Sequence, residues 1–511
     1  MTSFLRIAFR IACIVLTRSM VWFVAGLLTW CTCISPARAQ GAGHMDEPFG
    51  PAVHGRLLVS YRSGELPADL EAETAHAGAS VIRRHAALGV AVIEMSATNA
   101  DAMRLRLAAD PLVEAVVEDR VVYAHSVTVA PAPPPAPAPS VAAPQGWAVR
   151  RVGGFGGTSA EHGPWSVTQG AGVRIAILDS GIDAAHPAFA NKIALNVSEI
   201  DQAALPSACD DGSPADQQGH GTWTASLAAG AAGTTAWPIA GVAPQATLLN
   251  IKVLERMPGK PGDITSCATG QAAGLLSWVL QGIDDAVNAH ADVISLSLGT
   301  LVDISTGDGA GLKVIFDHAT HAATRAGVVI IAAAGNDGFD MSGSKYIELP
   351  AQARDVVALV ASTNPACAEN LAPNATCTAG PETVPYYSNR GSALNALAAP
   401  GGSYPAGPAG DLAAVSGWIL GACSQGRPGT ASGVPADAGH SFGCFNLGHS
   451  GYVQAMGTSA SAPLAAGVVA LIRAAHPAWA PAEVVAALRG SALKVKGMPV
   501  ALVSATSALA R

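Results

Sequence analysis

The chain is poor in charged and aromatic residues. Only 13% of its 511 residues are charged, 5% are aromatic, and the formal net charge is −8. No basic cluster stands out, which argues against a nucleic-acid partner. Half of the residues are hydrophobic, and the length suffices for two or three domains with buried cores.

Long hydrophobic runs are also missing. The apolar stretch at 20–28 (MVWFVAGLL) falls well short of the roughly 20 residues that span a bilayer. Three arginines precede it, and Ala37-Arg38-Ala39 follows as a small-x-small cleavage signature. This pattern predicts an export signal over 1–39, cut before Gln40. We therefore expect a secreted or periplasmic protein without a permanent membrane anchor. A lipoprotein fits less well, because the bulky pair Thr29-Trp30 precedes Cys31.

Cysteine is scarce, and no C-x-x-C pair is present, which disfavours a zinc site. Three of the nine cysteines would leave with the signal. An even set of six would remain in an oxidising compartment, which favours disulfides. Proximity along the chain favours Cys367–Cys377 and Cys423–Cys444, which leaves Cys209–Cys267, although other connectivities stay open.

Residues 52–124 form a small candidate domain. Its patterns alternate in the order strand, helix, two strands, helix, strand, which indicates a ferredoxin-like α+β unit. The corresponding segments are Gly55 to Tyr61, Leu66 to Ala77, Ser80 to Met95, Asn99 to Ala109 and Val113 to Tyr123. The Pro/Ala tract at 130–144 then predicts an extended spacer within a linker over 125–146.

From 147 to 511, apolar strand-like runs alternate with helical stretches. This alternation predicts an α/β domain with a mostly parallel central sheet and helices on both faces. Ligand sites in such folds lie at the carboxyl ends of strands. A Gly/Ser/Pro-rich insertion occupies about 402–450, and Cys423–Cys444 would pin it.

Three residue types needed for nucleophilic catalysis follow or begin such elements. Asp179 ends an apolar strand, His220 lies between two glycines, and Ser459 enters the first turn of a helix after Gly457. A serine nucleophile needs a base, and the base needs an orienting carboxylate. Each residue alone has a structural alternative, such as a turn or helix cap.

Asn336 follows the apolar run 328–333 and offers a side-chain amide. Such a donor stabilises an oxyanion by roughly 2.7–4 kcal/mol. The alternative is an asparagine in a left-handed turn before Asp337-Gly338.

Six segments together resemble the subtilisin family in the family's own order. They are ILDSGIDAAHP at 177–187, GHGTWTASLAAG at 219–230, IAGVAPQATLLNIKVL at 239–254, SLSLG at 295–299, AAAGN at 332–336 and GTSASAPLAAG at 457–467. The resemblance covers about 147–490. PLVEAVVEDRVV at 111–122 is similar to the last strand of the family's propeptide inhibitor. The chain thus resembles a serine endopeptidase made as a preproenzyme.

The resemblance implies a role for each candidate residue. Asp179, His220 and Ser459 would form the triad, and Asn336 would complete the oxyanion hole. An extended polypeptide substrate would pair with an edge strand at Ser297, Leu298 and Gly299. Ala333, Ala334 and Gly335 would form the other wall of the specificity pocket. These small walls suggest an apolar or aromatic side chain, while Asp337 leaves a basic preference open.

The resemblance implies no cofactor for the chemistry. Ala188 follows His186-Pro187 where calcium-binding members usually carry Asp, so a structural calcium is doubtful. Two other functions compete with the protease. Gly439 to Gly443 fits the G-x-S-x-G elbow of α/β-hydrolases around Ser441, but turn-forming residues flank it instead of a strand and a helix. The second alternative is a non-catalytic secreted binding protein. A missing triad member would indicate it, and none is missing.

Overall fold

The computed structural model describes residues 50–125, 146–155, 157–158, 161–231, 240–363, 382–403, 419–424, 445–447 and 450–510. The predicted export signal, most of the linker, Cys367, Cys377, Cys444 and Ser441 lie outside these residues.

The N-terminal part is an antiparallel sheet with two helices. Its elements are β1 Ala52–Tyr61, α1 Leu70–His76, β2 Ala79–His85, β3 Val90–Met95, α2 Ala97–Ala108 and β4 Val113–Ala124, with a 3₁₀ turn at Ala86–Leu88. The strand order is β4-β1-β3-β2. This is the predicted ferredoxin-like unit. Helix α1 begins at Leu70, later than the predicted Leu66, because Pro67 and the flanking residues form the turn before it.

The larger part contains the remaining strands and helices. Its strands are β5 Gly157–Thr158, β6 Glu161–His162, β7 Arg174–Asp179, β8 Ile193–Ser198, β9 Thr247–Lys252, β10 Glu255–Arg256, β11 Ala272–Leu275, β12 Val293–Leu296, β13 Leu298–Asp303, β14 Val329–Ala333, β15 Tyr346–Leu349, β16 Val356–Ser362, β17 Leu397–Pro400, β18 Ile419–Ala422, β19 Phe445–Leu447 and β20 Ser450–Ala455. Its helices are α3 Trp147–Arg151, α4 His220–Ala229, α5 Leu276–Asn288, α6 Gly307–Arg325, α7 Thr458–Ala475, α8 Pro481–Gly490 and α9 Ala505–Leu509, with 3₁₀ turns at Pro164–Ser166, Pro187–Phe189, Ile264–Thr269 and Ser392–Leu394.

The central sheet has seven strands in the order β17-β16-β14-β12-β7-β9-β8, and every pairing is parallel. One apolar cluster packs α4 and α7 against the sheet, and a second packs α5 and α6 against it. The expected parallel α/β fold with helices on both faces is therefore confirmed. Helix α7 is the one described helix that is long and apolar enough to cross a bilayer, and 89% of it is buried in the protein core.

Helix α6 is longer than the sequence suggested. The apolar pattern of the sequence predicts a helix only over His318 to Ala326, whereas the helix runs from Gly307 to Arg325. Three glycines in its first five residues weaken the helical signal there. The Thr306 hydroxyl accepts from the Gly309 N–H at 3.0 Å and caps the first turn.

One disulfide joins Cys209 and Cys267, with their Cα atoms 5.5 Å apart, as the sequence favoured. Cys423 is also disulfide-bonded. Part of the predicted insertion forms the antiparallel sheet β18-β20-β19. The Trp223 indole N–H donates to the Ile419 carbonyl at 3.1 Å, which ties this sheet to α4.

Candidate active site

The structure brings Asp179 and His220 together inside the protein. Strand β7 ends at Asp179, and His220 begins α4. The His220 Nδ1 lies 2.6 Å from Asp179 Oδ1, and both side chains are buried. The Ser180 N–H and the Thr224 hydroxyl also donate to this carboxylate, at 2.7 and 3.0 Å. Because these donors hold Asp179 in place, its contact fixes the imidazole orientation.

Asp216 organises the loop before His220. It is fully buried, and its carboxylate accepts from the Ser180 hydroxyl, the Gly219 N–H and the Thr222 N–H at 2.7–2.9 Å. Burial raises the pKa of Asp216, while the hydrogen bonds from Thr222 and Gly219 oppose the shift. The glycine after His220 is required sterically, because a Cβ on Gly221 would overlap the Gly181 carbonyl.

Ser459 lies in the first turn of α7, directly after Thr458. Its hydroxyl donates to the Ser297 carbonyl at 3.1 Å, and the Ser297 hydroxyl donates to the Ser459 carbonyl at 2.9 Å. The serine is therefore anchored to the segment that leads into β13. Its backbone N–H is one of the amides at the positive end of the helix, where negative charge is stabilised.

Asn336 and Ser459 contact the same carbonyl oxygen. Asn336 Nδ2 donates to the His125 carbonyl at 2.5 Å, and the Ser459 N–H donates to it at 3.2 Å. The Asn336 Oδ1 accepts from the Thr458 N–H and hydroxyl, both at 2.9 Å. Since the amide oxygen is held by Thr458, the amide nitrogen points at the carbonyl.

The carbonyl belongs to the chain that leaves the N-terminal domain. Strand β4 runs from that domain into a cleft and pairs there with β11 on one side and β13 on the other, both antiparallel. Tyr123 lies opposite Ala273 and Gly299, and Ala124 lies opposite Leu298. The His125 N–H donates to the Ser297 carbonyl at 2.9 Å. The protein's own chain thus occupies the cleft as an added strand.

The His125 side chain fills a pocket beside this strand, which we call the His125 pocket. The side chain is 9% exposed, and Nε2 lies 3.1 Å from Glu348 Oε1. The backbones of Gly299 and Gly335 allow this approach, since a Cβ on either would meet the Glu348 carboxyl group. The pocket therefore holds an imidazole against a buried carboxyl group.

Of the other residues expected at the substrate site, Ala333 ends β14, and Ala334 and Asp337 follow it in the chain. Burial lowers the pKa of His125, and the nearby backbones of Gly299 and Ala333 act in the opposite direction. Ala334 is fully buried and donates its N–H to Leu359 within the sheet. Asp337 is held by Asn389, whose Nδ2 lies 3.2 Å from Asp337 Oδ2.

Comparison with known proteins shows the family of the chain. The family model described as "Subtilase family" matches residues 170–505, and the model of the "Fervidolysin N-terminal prodomain" matches residues 44–118. The chain belongs to the subtilase family of serine proteases. The subtilase is 33% identical over 195 residues to the major intracellular serine protease of Bacillus subtilis, a match that covers 37% of this chain and 51% of that protein. It is 26% identical over 527 residues to an extracellular protease of Xanthomonas campestris pv. campestris, covering 94% and 76% of the two chains.

Among solved structures, the subtilase matches fervidolysin from Fervidobacterium pennivorans, described as a keratinolytic enzyme related to subtilisin. The TM-score is 0.58 at 19% identity, over 90% of this chain and 61% of that one. The likeness supports the shared fold of both domains. The chain spans only about half the length of the Bacillus relative that it matches.

Sequence reasoning missed three groups that complete the site in this subtilase. Thr224 and Thr458 hold Asp179 and Asn336, and nothing in their local pattern distinguishes them from other helical threonines. Glu348 was missed because its position depends on the pairing of β13 with β15, where it lies opposite Leu301. Such a pairing is not visible in the local sequence.

Proposed function

We propose that this subtilase is a secreted serine endopeptidase with Asp179, His220 and Ser459 as its triad, and that residues 52–124 inhibit it until maturation. One observation carries the proposal. A peptide carbonyl of the chain accepts hydrogen bonds from both the Asn336 amide and the Ser459 N–H. Two donors converging on one carbonyl oxygen are what an oxyanion hole requires.

In the proposed reaction, Ser459 Oγ attacks the carbonyl carbon of a peptide bond. The hydroxyl, which donates to Ser297 in the structure, turns to give its proton to His220 Nε2. The carbonyl oxygen becomes an oxyanion held by Asn336 and the Ser459 N–H, and Asp179 stabilises the imidazolium. The C–N bond then breaks, His220 returns the proton to the leaving amine, and water hydrolyses the acyl-enzyme by the same steps.

The contacts of the N-terminal domain support its proposed role as inhibitor. Strand β4 already occupies the cleft, so a substrate cannot enter until it leaves. The domain also binds outside the cleft. Arg104 lies 2.9 Å from Asp308, Glu114 lies 3.0 Å from His318, and the Asp119 carboxylate accepts from the Ser277 N–H at 3.0 Å. These contacts hold β4 in its bound geometry before the chain is cut. The N-terminal fragment should therefore dissociate slowly after the cut.

Secretion and metal independence belong to the same proposal. The export pattern over 1–39 and the disulfide both fit an oxidising compartment. Because Ser459 is the proposed nucleophile, we expect phenylmethylsulfonyl fluoride to inactivate the enzyme. Every proposed step uses only side chains and backbone of the chain. We expect EDTA to leave initial rates on casein nearly unchanged, and an EDTA loss restored by calcium or zinc would contradict this.

The test compares three forms of the full chain in a casein digest. Ser459→Ala should lower kcat by about 10⁶-fold, the loss known for the nucleophile of subtilisin. It should also accumulate outside the cell as an uncut protein beginning at Gln40. Ser441→Ala is the control for the α/β-hydrolase alternative and should retain wild-type activity. An active Ser459→Ala protein together with an inactive Ser441→Ala protein would overturn the proposal.

A further inference from the structure

The position of His125 in the cleft defines a cut in the chain. In a serine protease, the residue whose carbonyl lies in the oxyanion hole is the one on the N-terminal side of the broken bond. Here that carbonyl is held by Asn336 and Ser459. The bond presented for cleavage is therefore the one between His125 and Ser126, and the His125 side chain occupies the pocket that selects substrates.

Glu348 is the group that this side chain meets. Its carboxyl group is fully buried, and its Oε1 has no hydrogen-bond partner among the described residues apart from the 3.1 Å approach of His125 Nε2. A buried polar atom without a partner is costly. A side chain that brings an N–H or an acceptor to this point removes that cost, whereas an aromatic hydrocarbon ring leaves it.

The protonation of the pair favours an imidazole. Burial raises the pKa of Glu348 well above its usual range, and the nearby Asp337 raises it further. Burial also lowers the pKa of His125 to about 4. The two groups therefore share one proton. Imidazole has a nitrogen that can donate or accept, so it complements this carboxyl group whichever partner holds the proton.

The pocket is also fitted to the length of histidine. A Cβ on Gly299 would come within 2.5 Å of the His125 Cε1, so this wall lies directly against the ring. Lysine and arginine place their charged nitrogens farther from Cα, and either would have to displace Glu348. The Glu348 N–H is held by Gln352 at 2.8 Å, and its Oε2 lies 3.5 Å from Asn389 Nδ2. These contacts oppose the displacement.

We propose that Glu348 makes this protease selective for histidine on the N-terminal side of the cut, and that maturation begins by cleavage of the His125–Ser126 bond. This inference rests on the proposed peptidase function. It assigns to the enzyme a substrate class, extended peptides with histidine directly before the cut, and to Glu348 the role of recognising that side chain.

The first experiment measures kcat/KM on peptides Val-Tyr-Ala-X-p-nitroanilide, which copy Val122 to Ala124, with X as His, Phe, Lys or Arg. We expect His to exceed each of the others by at least about 10-fold. In Glu348→Ala that advantage should vanish, with Phe cleaved as well as His. Glu348→Gln keeps the shape and should retain part of the preference, which preserves the test if the alanine variant folds poorly.

The second experiment determines the C-terminus of the released N-terminal domain by mass spectrometry during maturation of the full chain. We expect a product ending at His125, and slower release for His125→Phe. Equal or better cleavage after Phe, Lys or Arg, or a first cut elsewhere, would overturn the inference while Ser459-dependent casein hydrolysis left the peptidase proposal intact. Failure to cut any peptide or casein would overturn both.

Discussion

The Thr224 hydroxyl donates to Asp179 Oδ2 at 3.0 Å, while His220 contacts Asp179 Oδ1. Hydrogen bonds to charged groups contribute roughly 1.5–3 kcal/mol. Thr224→Val keeps the side-chain shape but removes the donor, so Asp179 would orient the imidazole less firmly. We expect kcat on a peptide substrate to fall about 10-fold or more with little change in KM.

Thr224→Ser is the matched control, because it keeps the hydroxyl and loses only a methyl group. It should stay within a few-fold of wild type. Equal kcat for the valine and serine variants would show that the hydroxyl does not support the triad.

The sequence indicated most of the fold and the four polar residues of the proposed catalytic centre, because each follows or begins a strongly apolar element. Asp179 comes directly after the buried run of β7, and Ser459 opens the apolar helix α7. The sequence could not show contacts between residues that are distant along the chain. In the local sequence, Glu348 is one polar residue within a short strand. Only the pairing of β15 with β13 places it at the pocket. The occupant of that pocket, His125, is distant along the chain and directly follows a strand from another domain.

The fully buried Asp119 should hold the N-terminal domain on the protease. It lies 3.2 Å from the Arg56 Nε and accepts from the Ser277 N–H in the first turn of α5. Asp119→Ala leaves the Ser277 N–H without its acceptor, while Arg56 keeps its Nη1 contact with Asp201 at 3.0 Å. Leaving a buried donor unsatisfied costs about 1–3 kcal/mol. In the uncut Ser459→Ala chain, Asp119→Ala should lower the free energy of unfolding in urea by this amount.

The exposed Asp101 on α2 supplies the control for that measurement. Asp101→Ala should change the free energy of unfolding by no more than about 0.5 kcal/mol. If Asp119→Ala is no less stable than this control, the buried contact does not hold the two domains together.

The disulfide between Cys209 and Cys267 closes a segment of the chain with a sequence separation of 58 residues. Constraining a loop of this length in the unfolded chain stabilises the folded state by about 4 kcal/mol. The double variant Cys209→Ser/Cys267→Ser, in the Ser459→Ala background to prevent self-digestion, should lose about this much in urea unfolding. A loss below about 0.5 kcal/mol would mean that the closed loop contributes nothing measurable.

The shared proton of Glu348 and a bound histidine predicts a pH dependence. Free histidine has a pKa near 6.5, and burial and Asp337 raise the pKa of Glu348. Above both pKa values, neither free partner carries the proton that the bound pair needs, so binding must take one up. For the His peptide, kcat/KM of the wild type divided by that of Glu348→Ala should therefore fall as the pH rises, approaching tenfold per unit.

This ratio isolates the pocket, because both enzymes use the same His220 and carry the same Asp337, and their ionisation largely divides out. The ionisation of the substrate histidine also divides out, so the decline begins at the pKa of Glu348, which burial and Asp337 raise well above its usual range. The ratio is measured from pH 6 to pH 10. A ratio that stays flat over this whole range would show that Glu348 recognises the substrate histidine without holding a proton, or does not recognise it at all.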